Sequence, residues 1–294
     1  MRTHGITDEG AGMRLRSLLF VPADRPERFA KAASTGADAL IIDLEDSVSR
    51  EHKEAGRQAV AELLQGPPLG PHILVRINPL DSAFIEADLM TFAGLRPAGI
   101  VLPKAEGARS IVALEANFLK HQLVGTPILP IATETPAAIF QLGTYAEISS
   151  SLAGLTWGAE DLPAAIGAVT SREDDGSYTP PYQLARSLTL FAAHAAGVSA
   201  IETVFPDFKN LDGLAVYASR AARDGFTGMM AIHPSQVATI NSAFTPSENE
   251  LAQAQRIVEI FEQNPGQSAF ALNGKMIDFP HLKQARRILE RASK

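Results

Sequence analysis

The 294-residue chain carries charged side chains in short clusters that each follow an apolar run, and their types suggest one chemistry. Asp43, Glu45 and Asp46 crowd into four positions after Ala39–Ile42, and Arg76 follows Ile73–Val75. Lys104, Glu134 and Asp161 come after three further apolar stretches, and His233 after a fourth. Glu134 and Asp161, on neighbouring strands and with only one histidine nearby, favour a hard cation bound through oxygen. Mg²⁺ binds through one or two carboxylates and leaves positions for water and substrate, and an α-keto acid fills two of them with its carboxylate and carbonyl oxygens. Each residue also has a purely structural reading. Glu134 precedes a helix start, Asp161 could cap a helix, and Arg76 could simply pair with an acid of the second strand. Lys104 could be an exposed turn residue and His233 a loop histidine.

Residues of these types are brought together by apolar strands that end side by side. Eight such strands are legible: Ser17–Val21, Ala39–Leu44, Ile73–Ile77, Gly99–Leu102, Ile128–Ala132, Leu152–Trp157, Ala200–Val204 and Gly228–Ile232. Helical stretches lie between them, running from Pro26, Ser49, Ser82, Ala108, Pro136, Tyr182 and Leu211. Thr135-Pro136 is a helix start with a threonine cap and proline at the first turn. Near-continuous apolar strands alternating with helices predict an α/β (β/α)₈ barrel, whose reactive groups gather at the carboxyl ends of the strands. An open doubly wound sheet would need a glycine-rich turn after the first strand, and Val21-Pro22-Ala23-Asp24 is not one. Ser171–Pro181 is long enough to be a functional loop on the strand-end face.

The barrel accounts for residues 1–246, with a short disordered start over Met1–Met13. Residues 247–294 form an additional C-terminal helical segment: a capped helix over Ser247–Gln263, a break at Asn264-Pro265-Gly266, a short glycine-punctuated stretch, and a last helix over Phe279–Ala292. A barrel does not need this tail to close, so it covers one end or reaches a neighbouring subunit.

Composition removes several classes. Lys+Arg of 26 against Asp+Glu of 33 gives a net charge of −7, and four Tyr and one Trp make no stacking platform, so no nucleic acid is expected as partner. With no cysteine, disulfides, thiolate catalysis and zinc–thiolate sites are excluded. No apolar run approaches the ~20 residues of a membrane span and no secretory leader is legible, so a cytoplasmic protein without membrane contact is expected. P-loop, serine-hydrolase and zincin motifs are absent.

Eight ordered motifs carry a resemblance. L-F-V-P-A-D-R-P-E-R (19–28), I-I-D-L-E-D-S-V (41–48), V-R-I-N (75–78), V-L-P-K-A-E (101–106), T-E-T-P (133–136), W-G-A-E-D-L (157–162), G-F-T-G-M-M-A-I-H-P-S-Q (225–236) and G-K-M-I-D-F-P (274–280) together resemble the citrate lyase β-subunit-like family, with its malyl-CoA and citramalyl-CoA lyases. The resemblance implies a TIM barrel that cleaves, or reversibly forms, a carbon–carbon bond in a 3-hydroxyacyl-CoA, giving acetyl-CoA and an α-keto acid. It implies that Glu134 and Asp161 hold Mg²⁺, and that Arg76 binds substrate and steadies the developing enolate oxygen. Asp43 and Glu45 would anchor Arg76 and metal-bound waters, while Arg25 and Lys104 would meet the CoA phosphates. Asp278 would reach a neighbouring subunit's site as general acid–base, in a homo-oligomer that is commonly a trimer in relatives. Ser47, Ala23-Asp24 and Phe205-Pro206 depart from the usual pattern around the mouth of the site and bear on the acyl substrate. The same resemblance leaves room for a citrate lyase β subunit working on a carrier-bound citryl thioester. More distant readings are a class II pyruvate-type aldolase and a non-catalytic binding protein on the same fold.

Overall fold

The computed structural model describes residues 13–292, which form two compact units, one spanning Leu15–Asn241 and one built on residues 242–292. The expected disordered start, Met1–Met13, lies outside the described residues apart from Met13.

The first unit alternates strand and helix. In chain order it runs β1 (Ser17–Pro22), α1 (Phe29–Ala33), β2 (Ala39–Asp43), α2 (Lys53–Gln65), β3 (His72–Arg76) and α3 (Ile85–Thr91). It continues with β4 (Gly99–Leu102), α4 (Ala108–His121), β5 (Ile128–Pro130), α5 (Pro136–Ile139), β6 (Gly154–Thr156), α6 (Asp161–Ile166) and α7 (Pro180–Ala196). Then come β7 (Ser199–Glu202), α8 (Leu211–Asp224), β8 (Gly228–Ala231) and α9 (Val237–Phe244), the last crossing into the second unit's sequence. All eight strands are parallel neighbours in the order β5-β4-β3-β2-β1-β8-β7-β6. Two bridges, Ile128↔Leu152 and Ile131↔Thr156, join the ends of that order, with Ala132 N donating to Thr156 O and Ala153 N to Ile128 O, each at 2.8 Å. The sheet therefore closes into the expected (β/α)₈ barrel.

Burial on both faces explains why the strands read as unbroken apolar runs. Every residue of β2, β4, β5, β6 and β8 is buried, since helices cover the outside and side chains fill the inside. The seven inter-strand helical stretches are all present, with local differences in length. After β5 the helix that Thr135 caps, by accepting from Ala138 N at 3.2 Å, lasts four residues and gives way to 3₁₀ turns over Leu142–Ser151. Helix α7 begins at Pro180, two residues before the sequence placed it, because Thr179 and the two prolines set the first turn.

The second unit contains α10 (Glu248–Gln263), a hairpin of β9 (Ala269–Leu272) and β10 (Lys275–Asp278), and α11 (Phe279–Ala292). Ser247 and Glu250 form a reciprocal capping box on α10. The hairpin replaces the short glycine-punctuated stretch read from sequence. Its two-residue turn, Asn273-Gly274, holds both residues at positive φ, which asparagine and glycine tolerate best. Val258, Phe261, Ile277 and Leu282 pack together as its core.

Among the described residues no helix is long and apolar enough to cross a membrane.

Candidate active site

Strand register determines which charged groups meet. Asp43 ends β2 and Arg76 ends β3, and the two are directly paired across the parallel ladder, so their side chains leave the same face at the same height. Arg76 Nε donates to Asp43 Oδ1 and Nη2 to Asp43 Oδ2, both at 2.7 Å, the two-pronged match of a planar guanidinium to a carboxylate. Burial alone would raise the Asp43 carboxyl, but the hydrogen bonds and charge of Arg76 outweigh it and hold it below the ordinary value. Burial likewise opposes the charge on Arg76, and Asp43, Glu45 and Asp46 more than offset it, so the guanidinium stays protonated. The Phe20 ring of β1 lies under the guanidinium, 4.8 Å from its carbon.

Glu45 is the hinge of the cluster. Its Oε2 is 3.0 Å from Arg76 Nη1 and its Oε1 accepts from Lys104 Nζ at 2.7 Å. Burial nevertheless prevails over both cations and lifts its carboxyl above the ordinary value. The turn carrying Glu45 is fixed from below by Lys53, whose buried ammonium donates to the carbonyls of Leu44 and Glu45, both at 2.7 Å. A second clamp comes from Asn78, which donates to Leu44 O at 3.2 Å and is itself held by the buried carboxylate of Asp88 at 2.6 Å.

Lys104 adopts a left-handed backbone with φ of 52°. That conformation points its own N–H at Glu134 Oε2, 2.6 Å away, while its side chain crosses to Glu45 and stops 3.9 Å from Asp161 Oδ1. Its ammonium is thus committed within the carboxylate cluster while the side chain stays 36% exposed.

Glu134 follows β5 and is buried, yet the hydrogen bond the structure gives its carboxylate comes from one backbone N–H. Burial pushes its carboxyl up to about 8, with repulsion from Asp161 and Glu45 adding to the effect of burial and the Lys104 N–H opposing it. Asp161 opens α6 with its side chain 38% exposed. Neither acid spends its oxygens on capping: the cap of α5 is Thr135, and Asp161 is the first residue inside its helix. The donor set is two carboxylates with no nitrogen or sulfur ligand, which suits a hard divalent cation that keeps some of its waters. Among the described residues no group of three or more His, Cys, Asp or Glu converges as a closed metal cage.

Two further residues pin β5 against β6 at this point. Thr133 Oγ1 donates to Gly158 O at 3.2 Å and accepts from Gly158 N at 3.1 Å. A Cβ at position 158 would stand 2.6 Å from Glu134 Cγ, so only glycine lets the Glu134 stem pass. Trp157, beside it, donates to the buried Glu202 of β7 at 2.5 Å, and Arg186 of α7 holds the other Glu202 oxygen at 2.6 Å.

The structure thus brings Asp43, Glu45, Arg76, Lys104, Glu134 and Asp161 into one connected cluster at the strand ends. Arg25 stands at the start of a 3₁₀ turn, 54% exposed, with Nε 3.9 Å from Asp24 Oδ1. His233 takes the structural reading: it caps the turn Pro234–Gln236 through Nδ1 and stacks on Phe208 at 4.7 Å. Asp278 belongs to the second unit, at the end of β10, where its Oδ1 lies 2.6 Å from His281 Nδ1. Thr133, Gly158, Lys53, Asn78 and Asp88 were not singled out from sequence. A glycine two positions before a pair of acids is the one available signal for Gly158; the others needed the fold.

Comparisons with known proteins give the chain's family. The family model described as HpcH/HpaI aldolase/citrate lyase matches residues 16–234. A citrate lyase subunit beta-like protein of Mycobacterium tuberculosis is 38% identical over 277 residues, covering 93% of this chain and 94% of the relative. The mitochondrial citramalyl-CoA lyase of Rattus norvegicus is 32% identical over 296 residues, covering 95% and 86%. The crystal structure of protein CitE from Mycobacterium tuberculosis in complex with magnesium, acetoacetate and coenzyme A superposes with a TM-score of 0.80 at 36% identity, covering 95% of this chain and 98% of that one. The chain belongs to the HpcH/HpaI aldolase/citrate lyase family and is a lyase of that family.

Proposed function

We propose that this protein cleaves, or reversibly forms, a 3-hydroxyacyl-CoA of the citramalyl-CoA or malyl-CoA type, yielding acetyl-CoA and an α-keto acid with Mg²⁺ as cofactor. The observation that carries the reading is that a fixed, always-charged Arg76 and the carboxylates of Glu134 and Asp161 belong to one cluster, linked through Glu45 and Lys104, at one end of one barrel. The donor set fits Mg²⁺: oxygen only, one buried carboxylate with a raised proton affinity and one open to solvent. Glu134 and Asp161 would hold the ion, which when bound supplies a Lewis acid for the keto-acid oxygens. That the similar CitE protein was crystallised with magnesium, acetoacetate and coenzyme A supports Mg²⁺ as the cofactor and a CoA thioester as the substrate class.

Arg76 orients the substrate and offers fixed positive charge where negative charge develops on the thioester oxygen as the bond breaks. Asp43 keeps its fork aimed, and Glu45 stands between Arg76 and Lys104 to orient water and balance charge. Arg25, the more exposed cation, meets the CoA phosphates, while Lys104 acts mainly within the carboxylate cluster. Asp278, delivered by a neighbouring subunit of a homo-oligomer such as a trimer, gives the proton to the methylene carbon that becomes the acetyl methyl.

A second reading is the β subunit of a citrate lyase working on a carrier-bound thioester. The citrate lyase subunit beta of Escherichia coli is 33% identical, covering 94% of this chain and 93% of that protein, so overall likeness does not separate the two. Assay of purified protein alone on citramalyl-CoA and malyl-CoA, with Mg²⁺ and with EDTA, tests the choice. Release of pyruvate or glyoxylate without partner subunits supports the first reading, and turnover only of a carrier-bound citryl thioester supports the second.

A further inference from the structure

His281 sits one helical turn into α11 from Asp278, with its ring folded back on the same residue twice. Its Nδ1 lies 2.6 Å from Asp278 Oδ1 and 3.2 Å from the Asp278 backbone N–H. The two contacts make opposite demands. Towards the N–H, Nδ1 must be a bare acceptor; towards an ionised carboxylate it must carry a proton and donate. One ring nitrogen therefore matches both states of the acid: Nδ1–H donates when Asp278 is ionised, and bare Nδ1 accepts from Oδ1–H or from the backbone when Asp278 is protonated. The second ring nitrogen, Nε2, takes no part in either contact, and the His281 side chain is 45% exposed.

We propose that His281 is the proton relay that reloads Asp278 from solvent between turnovers, an inference that rests on the general-acid role given to Asp278 above. A buffer acid or hydronium ion gives a proton to Nε2, the Nδ1–H bond breaks, and an O–H bond forms on Oδ1. The ring ends neutral with its proton on Nε2, and no electrons change hands. The carboxylic acid then protonates the substrate carbon. The hydroxyl proton that the substrate loses on cleavage returns to solvent elsewhere, so one proton enters and one leaves per turnover. Water would reload an isolated carboxylate too, but imidazole is the side chain that accepts on one atom while releasing from another near neutral pH.

A capping contact at the start of α11 is the alternative use of the same geometry, since a side chain at this position that accepts from the backbone N–H stabilises a helix start. His281→Asn separates the two. Its amide reaches the Nδ1 position and keeps either hydrogen bond, yet has no second nitrogen through which to pass a proton. The readouts are deuterium exchange into the methyl group of acetyl-CoA in D₂O with Mg²⁺, keto-acid release by carbon–carbon cleavage of the acyl-CoA substrate, and the thermal midpoint, on the same chain. Asp278→Asn is expected to lose exchange by about 10²–10⁴-fold. His281→Asn is expected to slow exchange and kcat by roughly 10- to 100-fold with KM and thermal midpoint near native, and added imidazole should restore the rate. Native exchange in Asp278→Asn overturns the role of Asp278 itself. Loss in Asp278→Asn with native exchange in His281→Asn, or a slowed His281→Asn that imidazole leaves slow, overturns the relay alone.

Discussion

Asp43 and Arg76 are register partners on adjacent parallel strands, joined by two hydrogen bonds of 2.7 Å where both strands end. Asp43 is buried and the Arg76 side chain only 12% exposed, so the two depend on each other for stability as well as for aim. Arg76→Lys keeps a charge but loses the fork, and we expect kcat/KM to fall by at least about 100-fold with the protein still folded. Arg76→Met leaves Asp43 buried without its partner and should cost about 3–5 kcal/mol in urea unfolding. If Arg76→Lys were fully active, the fork would not be what the reaction uses.

Glu134 gives a pH signature. Its carboxyl titrates near 8 in the folded, metal-free protein, against an ordinary value of 4.5. Between those values the folded state holds a proton that the unfolded chain has released, so metal-free stability should decline as pH rises from about 5 to 8. Mg²⁺ binding in that window should release a proton and reverse the loss. Glu134→Gln should flatten the decline and abolish the Mg²⁺ response. Thermal melts across pH, with Mg²⁺ and with EDTA, read both, and an unchanged slope in the variant contradicts the assignment.

Gly158 sets the passage for the Glu134 stem. Gly158→Ala puts a methyl 2.6 Å from Glu134 Cγ, which must then swing away from its place beside Asp161. Calorimetry should show Mg²⁺ affinity lower by roughly 10- to 100-fold. Native affinity would mean that Glu134 is not held where the metal needs it.

Lys53 holds the Glu45 turn by two carbonyls, and burial lowers its proton affinity although Asp43 and Asp88 act against that. Lys53→Met takes the charged donor from both carbonyls, leaving Leu44 O with Asn78, and should cost about 1–3 kcal/mol. It should also lower kcat more than it raises KM, because the loosened group orients rather than binds. A loss confined to stability would mark Lys53 as structural only.

Much of this was legible in the chain because a doubly covered strand announces itself as an apolar run, and the acids that follow such runs stand out. That logic found all eight strands, the Thr135-Pro136 helix start and the capped helix after Ser247. It also named six of the residues that meet at the strand ends. What stayed hidden depends on contacts between distant segments. Lys53 reads as one more charge on an amphipathic helix until the fold turns it under the Glu45 loop. Asp88 looks solvated until Asn78 and Arg57 enclose it. The contacts of Lys104 were hidden too, since only its left-handed backbone shows that both its N–H and its ammonium turn onto carboxylates. The β9–β10 hairpin was the avoidable omission, since Asn273-Gly274 is a strong local signal for a tight two-residue turn.

The most direct test of the whole account is keto-acid release from citramalyl-CoA and malyl-CoA by purified protein, with Mg²⁺ or EDTA, beside Asp161→Ala and Asp278→Ala. We predict Mg²⁺-dependent release of pyruvate or glyoxylate from one of the two, lost in both variants. Release that persists in EDTA, or in Asp161→Ala at the native rate, would contradict a metal-assisted cleavage centred on Glu134, Asp161 and Arg76.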